Sequence, residues 1–218
     1  MRSNFIAIIE KWIRQVLMIV KRDYKGYIII NVLYFVALSL GMVYALFNSE
    51  VQTFLHGILA QSWEESFLAS IAQASAAENW LLALLLIFLA NLLVGSLIVL
   101  TGPSVLVFFA GPLLALYRAV LWGVAFSPTS PQFATTLIYA LPVLVLEGEA
   151  YCIACVPSLK VGMSWLLPKR AYKEAKLTRK QAFKKALHEL ALVYVLVALV
   201  LFISAIVEVA VVATAVVV

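Results

Sequence analysis

Apolar residues run almost unbroken for about twenty positions at several places along this chain, and polar residues gather between those runs. A helix needs about 20 consecutive apolar residues to cross a hydrocarbon core roughly 30 Å thick, so the runs predict transmembrane helices. The first covers 28–47 (IIINVLYFVALSLGMVYALF) and the second 79–101 (NWLLALLLIFLANLLVGSLIVLT). A third is expected over 103–126, a fourth over 133–158 and a fifth over 190–218. Gly102-Pro103 and Gly111-Pro112 interrupt the third, while Pro142, Gly148 and Pro157 interrupt the fourth. Each proline removes a backbone donor and crowds the preceding turn. In lipid, such a break persists only where protein or trapped water satisfies the freed groups. The two broken helices therefore belong in the packed interior, with a re-entrant dip open at either, and the first helix lies nearer lipid.

Three stretches outside the spans carry a helical repeat. Residues 1–27 place apolar side chains at 5, 9, 12, 13, 16 and 20 with charge between them, the pattern of an amphipathic helix lying in the interface. The 48–78 loop repeats apolar residues at 55, 59, 63, 67 and 71, a stripe that a helix can bury. Residues 159–189 form a basic helical segment in which Thr178 is the expected N-cap. The predicted fold is all-α: one polytopic bundle with spans at 28–47, within 79–158 (spans 2 to 4) and at 190–218, plus these amphipathic segments.

Composition strengthens the membrane reading. The chain of 218 residues is 65% hydrophobic and 12% charged, with a mean hydropathy of +1.05, values that a soluble domain could not bury around one core. The first long run begins only near Ile28 and is long enough to span, so a cleaved signal peptide is not expected. Every Lys and Arg except Arg118 falls in two blocks, 2–25 and 160–185, whereas 48–78 has none and carries Glu50, Glu64, Glu65 and Glu78. By the positive-inside rule both blocks are cytoplasmic and the loop is external. Five spans then put the N-terminus inside and the C-terminus outside a plasma membrane, with basic residues facing anionic head groups. Basic charge beside spans is ordinary topology, and no nucleic-acid module is present.

Candidate chemistry is sparse. Cys152 and Cys155 form a C-x-x-C inside an apolar helix, where zinc would lack two further ligands, so they read as small core residues. His56 and His188 belong to opposite sides of the membrane on this topology. Phosphate loops and hydrolase signatures are absent from the sequence. Glu147 and Glu149, in LVLEGEAYC, sit inside a span. Two residues apart, they point about 200° from one another on a helix and cannot act as a dyad unless Gly148 unwinds the turn. No enzyme activity, metal or cofactor is expected. Glu147 reads as a hydrogen-bonded staple, taking backbone N–H groups loosened by Pro142 and Gly148, with a titrating or ion-binding role as the alternative. Glu149 is expected to face a polar crevice or the inner interface.

The run ALPVLVLEGEAYCIACVPSLKVGMSWLLP resembles the signature of the stage II sporulation protein M family of multi-span membrane proteins. Leu141 and Pro142 match its start, Glu147 its glutamate, Ala150 its alanine and Gly162 its closing glycine. Val143 and Leu144 replace the family's His-Gly, and Gly148 and Glu149 its Leu-Pro. Asn91 in the second span and Glu208 near the end of the last resemble two further family positions. The resemblance implies a non-enzymatic scaffold or subunit of a membrane complex; in spore formers the namesake holds together a complex with peptidoglycan-degrading partners during engulfment. A transport or permease subunit is the alternative, because broken helices with buried carboxylates also build transporter sites. Small residues, Gly95 and Ser96 beside Asn91 and the Gly-Pro pairs, favour close helix packing and a homo-oligomer, a dimer by expectation. Arg118 needs a partner within the membrane. Counting about 1.5 Å per residue from Pro103 puts it about 8 Å from the outer edge of the core, nearest Glu208, so the expected pair is Arg118 with Glu208.

Overall fold

The computed structural model describes residues 2–64, 68–172 and 177–217, and every regular element among them is helical. Helix α1 spans Arg2–Phe47, α2 Ser49–Glu64, α3 Leu68–Ala76 and α4 Trp80–Leu89. A π-helical segment, π1 (Ala90–Thr101), leads into α5 (Gly102–Leu106); then come α6 (Ala110–Ala125), α7 (Pro131–Leu166), α8 (Pro168–Ala171) and α9 (Arg179–Val217). Four stretches are long and apolar enough to cross a membrane, Ile6–Phe47, Trp80–Leu106, Pro131–Leu166 and Arg179–Thr214, and Ala110–Ala125 is a shorter apolar fifth. Side chains expected to matter at 2, 5, 63, 64, 65, 67, 173 and 176 lie outside the described residues.

Contacts between named residues give the topology. Asp23 of α1 meets Lys160 of α7, and a side chain at Gly148 would strike Tyr34, so α1 and α7 run antiparallel. Tyr194 meets Ser158 through Thr101 and Glu189 lies 4.0 Å from Lys160, so α9 is also antiparallel to α7. Asn91 meets Glu147 and Thr101 meets Ser158, so the Trp80–Leu106 run is parallel to α7. Helix α6 enters beside Gly162 and leaves beside Gln52, adding a shorter fifth apolar helix to the bundle. The core contains Tyr34, Leu38, Leu100, Tyr151, Val193, Val197 and Leu201 together with Ala115, Ala119, Ala150 and Ala154. The alanines let helix backbones approach closely, which is how helices associate where water supplies no driving force.

The expected boundaries shift at three places. The segment 1–27 is not a separate element, because α1 is one helix of 46 residues. Its first half nevertheless docks: Trp12 Nε1 donates to the Leu192 carbonyl at 3.0 Å, and Val16 and Ile19 are buried. Trp12 to Arg22 covers about 15 Å of α1, while the partners Glu189 to Leu192 cover about 4.5 Å of α9, so α1 crosses α9 steeply. Second, Gly102-Pro103 ends the second span rather than opening the third. The chain turns over Val107–Phe109, with Val107 extended. Ser104 Oγ donates to the Leu100 carbonyl and accepts from Gly111 N–H, both at 2.9 Å. Gly111 is needed because a Cβ there would collide with Ser104 Oγ and the Leu100 carbonyl. Pro112 then falls in the first turn of α6, where backbone N–H groups have no intrahelical acceptor anyway. Third, α7 runs unbroken for 36 residues with Pro142 and Pro157 inside it. Gly148 does not unwind the helix; it makes room for the Tyr34 ring, 2.7 Å from where a Cβ would sit.

At the end remote from the basic blocks, α2 caps α6. Gln52 Nε2 donates to the Ala125 and Ser127 carbonyls at 3.0 and 2.8 Å, and the His56 ring lies 3.0 Å from the Ala125 carbonyl. Thr129 donates to Gln52, and Ser127 Oγ donates to the Met42 carbonyl at 2.8 Å. Carbonyls that a helix end leaves without intrahelical partners are thereby satisfied. The apolar stripe of residues 48–78 is divided between α2 and α3, with Leu55 and Leu59 half-buried and Ile71 buried. At the other end, Thr178 caps α9 as expected: its hydroxyl accepts from Gln181 N–H at 3.4 Å while its own N–H donates to Gln181 Oε1 at 3.0 Å, a reciprocal capping box.

Candidate functional site

Four polar side chains from three helices meet halfway along the bundle. Asn91 stands at the start of π1, Arg118 in the middle of α6, and Glu147 and Tyr151 one turn apart on α7. Asn91 Nδ2 donates to Glu147 Oε1 at 2.5 Å, and Tyr151 OH donates to Asn91 Oδ1 at 2.9 Å. Arg118 Nη2 lies 3.6 Å from Glu147 Oε2 and 3.4 Å from Asn91 Oδ1. The guanidinium also lies over the Tyr151 ring at 4.5 Å and the Trp122 ring at 5.5 Å. Tyr151 is fully buried and Glu147 nearly so. Gly95 provides the space: a Cβ there would be 3.0 Å from Tyr151 OH and 3.2 Å from Arg118 Nη1. An ion pair in such surroundings is favoured by partners for its remaining donors and acceptors; Asn91 meets both members, while Arg118 Nε finds no partner among the described residues.

This arrangement corrects two expectations. The carboxylate that pairs with Arg118 is Glu147, not Glu208. The depth count failed because it began at Pro103; α6 begins at Ala110, so Arg118 is about 12 Å along it rather than near its far end. Glu147 also takes its bonds from the Asn91 and Arg118 side chains rather than from backbone freed by Pro142, which is exposed on an intact helix. Glu208, on α9, makes no hydrogen bond or ion pair among the described residues but lies within electrostatic reach of Glu147 and Arg118. Glu149 points to α1, where Asn31 Nδ2 donates to it at 3.1 Å, so the two glutamates do not converge. Ala150 is fully buried, and Gly162 lies where a Cβ would strike the Ser104 carbonyl and approach Phe108 Cα at 2.9 Å, holding the Val107–Phe109 turn against α7. Cys152 and Cys155 are buried free thiols. His56 and His188 lie at opposite ends of the bundle.

The family model described as stage II sporulation protein M matches residues 31–212, most of the chain. This chain belongs to the stage II sporulation protein M family. No curated protein and no solved structure matches it. Of the positions that first suggested the family, Asn91 and Glu147 bond directly, Glu208 lies within electrostatic reach of Glu147, and Gly162 seats the Val107–Phe109 turn that precedes α6.

In this family member a second charged cluster, which the sequence reading missed, joins α1, α7 and α9. Arg22 binds Glu189 through two bonds of 2.8 and 2.7 Å, and Lys160 Nζ binds both Asp23 oxygens at 2.8 and 2.7 Å. Arg22 also reaches Asp23 at 2.7 Å, and Tyr172 OH donates to Glu189 at 2.9 Å. Burial and the neighbouring Glu189 carboxylate push the Tyr172 hydroxyl above its ordinary range, so it remains a donor at neutral pH. Three cations surround its ring, Lys185 at 4.6 Å, Lys160 at 5.0 Å and Arg22 at 5.6 Å. The signal in the sequence was an acidic residue in or just after each basic block: Asp23, the sole aspartate of the chain, within the first, and Glu189, four residues past the end of the second. Between the two clusters run hydroxyls: Ser96 to Tyr194 at 3.0 Å, Tyr194 to Thr101 at 2.5 Å and Thr101 to Ser158 at 2.7 Å. Asp23→Ala should lower stability by about 1.5–3 kcal/mol, the range for a hydrogen bond to a charged group. The double exchange Asp23→Lys with Lys160→Asp should recover part of that loss. Thermal unfolding in one detergent checks both, and equal stability of Asp23→Ala and the parent protein would remove the clasp from the list of stabilising contacts.

Proposed function

We propose that this protein is a non-enzymatic scaffold subunit of a membrane complex in the plasma membrane, with its N-terminus cytoplasmic and its C-terminus external. The observation that carries this reading is the use of the bundle's internal charges. Arg118 with Glu147, Lys160 with Asp23 and Arg22 with Glu189 each join different helices, as expected of groups whose work is to hold a shape. Family membership supports it, and the basic blocks, gathered at one end of the bundle, support the orientation. Lys and Arg on α1, α8 and α9 face anionic head groups, and the working state is a homo-oligomer, a dimer, associated with other membrane or envelope proteins and not with nucleic acid. The test is purification in mild detergent followed by native mass spectrometry. Dimer mass, or a stoichiometric membrane partner that persists in Glu147→Gln, is the expected result; a clean monomer without partners overturns the reading.

A second reading, a permease subunit, is favoured by the position of the Arg118–Glu147 pair halfway along the helices, where transporters place their sites. Solute or ion flux into vesicles containing the purified protein, abolished by Glu147→Gln without loss of assembly, would establish it over the scaffold.

A further inference from the structure

The central cluster holds more carboxyls than cations. Glu147 and Arg118 pair, and Glu208 adds a second carboxylate within electrostatic reach of both. With both carboxyls ionised, two anions against one cation would leave one negative charge in excess, inside a medium where an uncompensated charge is costly. The other elements packed against this stretch of α9 offer no relief. Helices α3 and α4 present Ile71, Leu84 and Ile87 beside Ala205 and Val209, and neither they nor π1 carries a charged residue. From α7 the groups facing Glu208 are Glu147 and Tyr151, and from α6 Arg118.

A second observation points to the same place. Ser204 is fully buried, yet its hydroxyl has no hydrogen-bond partner among the described residues, and Arg118 Nε is likewise buried and unmatched. A helical serine usually bonds the carbonyl four residues back, so a free hydroxyl there is available to something else. The antiparallel register set by Glu189 against Lys160 and Tyr194 against Ser158 carries Ser204 level with Glu147. Glu208 follows one turn later on the same face of α9.

We propose that Glu147, Glu208 and the Ser204 hydroxyl form a site for one exchangeable monovalent cation, a proton or a sodium ion, held beside Arg118. Uptake of one positive charge makes the cluster neutral. The Ser204 lone pairs and the unbonded Glu208 carboxylate supply oxygen ligands for sodium, or an acceptor for a carboxylic acid O–H. The site is independent of the scaffold reading, since a resident cation stabilises the bundle whether or not it is ever moved across it.

The test uses the full chain in lipid nanodiscs. Unfolding is followed while sodium replaces choline at constant ionic strength and, separately, across pH, and infrared spectra at neutral pH are searched for a protonated-carboxyl band. One bound cation changes the unfolding equilibrium constant by up to tenfold for each tenfold change in that cation's activity. Stabilisation by sodium but not choline identifies the sodium form. Sodium-independent stability with a protonated-carboxyl band that Glu208→Gln removes identifies the proton form. Absence of both responses in the unmodified protein overturns the site, as does a band or sodium response that survives in a folded Glu208→Gln protein. Should that variant not fold, the measurements on the unmodified chain still decide.

Discussion

Glu147→Leu is expected to destabilise the protein by about 3–5 kcal/mol, the usual consequence of removing one partner from a buried ion pair. Leucine leaves the Arg118 guanidinium without the carboxylate 3.6 Å away and Asn91 Nδ2 without the oxygen it meets at 2.5 Å. Glutamine differs in kind: its Oε1 can still accept from Asn91, and Glu208 remains to balance Arg118. Glu147→Gln should therefore cost about 1.5–3 kcal/mol, the value of one charge-assisted bond, and the protein should still fold. Thermal unfolding of the three proteins in one detergent separates these outcomes. Leucine and the parent protein melting together would mean that the pair holds nothing, whereas glutamine as damaging as leucine would mean that Glu208 does not share the charge.

Gly123→Val should act almost as strongly through shape alone, by about 3 kcal/mol, the upper end of the usual cost of overpacking. A Cβ at Gly123 would strike the Leu38 carbonyl and lie 3.0 Å from Met42 N, and one at Gly41 would strike the Val120 carbonyl in return. Each obstacle is backbone, so no change of rotamer relieves it and α1 must move away from α6. That movement also disturbs the Ser127 bond to Met42 and the Gln52 cap. Gly26 is the control: a Cβ there meets Val156 at an ordinary 3.6 Å, so Gly26→Ala should be neutral or stabilise by up to about 1 kcal/mol through helix propensity. If Gly123→Val melts with Gly26→Ala, the close crossing of α1 and α6 is not a stabilising contact.

Much of this architecture was legible because lipid imposes simple demands. Twenty apolar residues in a row have few other uses: the run at 28–47 falls within α1, and that at 79–101 covers α4 with its Asn79 cap and π1. Asn91 and Glu147 stood out for the same reason, as polar groups where polar groups are expensive. What could not be read was backbone geometry. Residues 90–101 have the composition of any apolar helix, so nothing announced the π form. Proline marked possible breaks without saying which were real: Pro142 and Pro157 sit inside α7, while the true turn, Val107–Phe109, contains no proline and depends on Ser104. That error displaced Arg118 along its helix and gave it the wrong partner. The Asp23–Lys160 clasp escaped because 137 residues separate its members and neither residue is unusual beside a basic block.

Helix α6 has a further consequence for the surrounding lipid. Its 16 residues span about 24 Å, short of a hydrocarbon core of roughly 30 Å, whereas the 36 residues of α7 could cross with length to spare. Leu113, Tyr117 and Val120 expose one side of α6, so acyl chains meet this short helix directly. A helix this short is accommodated by a thinner bilayer, by snorkelling of its flanking residues or by association with another helix, each at a cost of fractions of a kcal/mol per ångström. Where thinning is the response, the lipid annulus becomes uneven, with short or disordered chains gathered along one flank, and thicker, long-chain membranes disfavour that flank first.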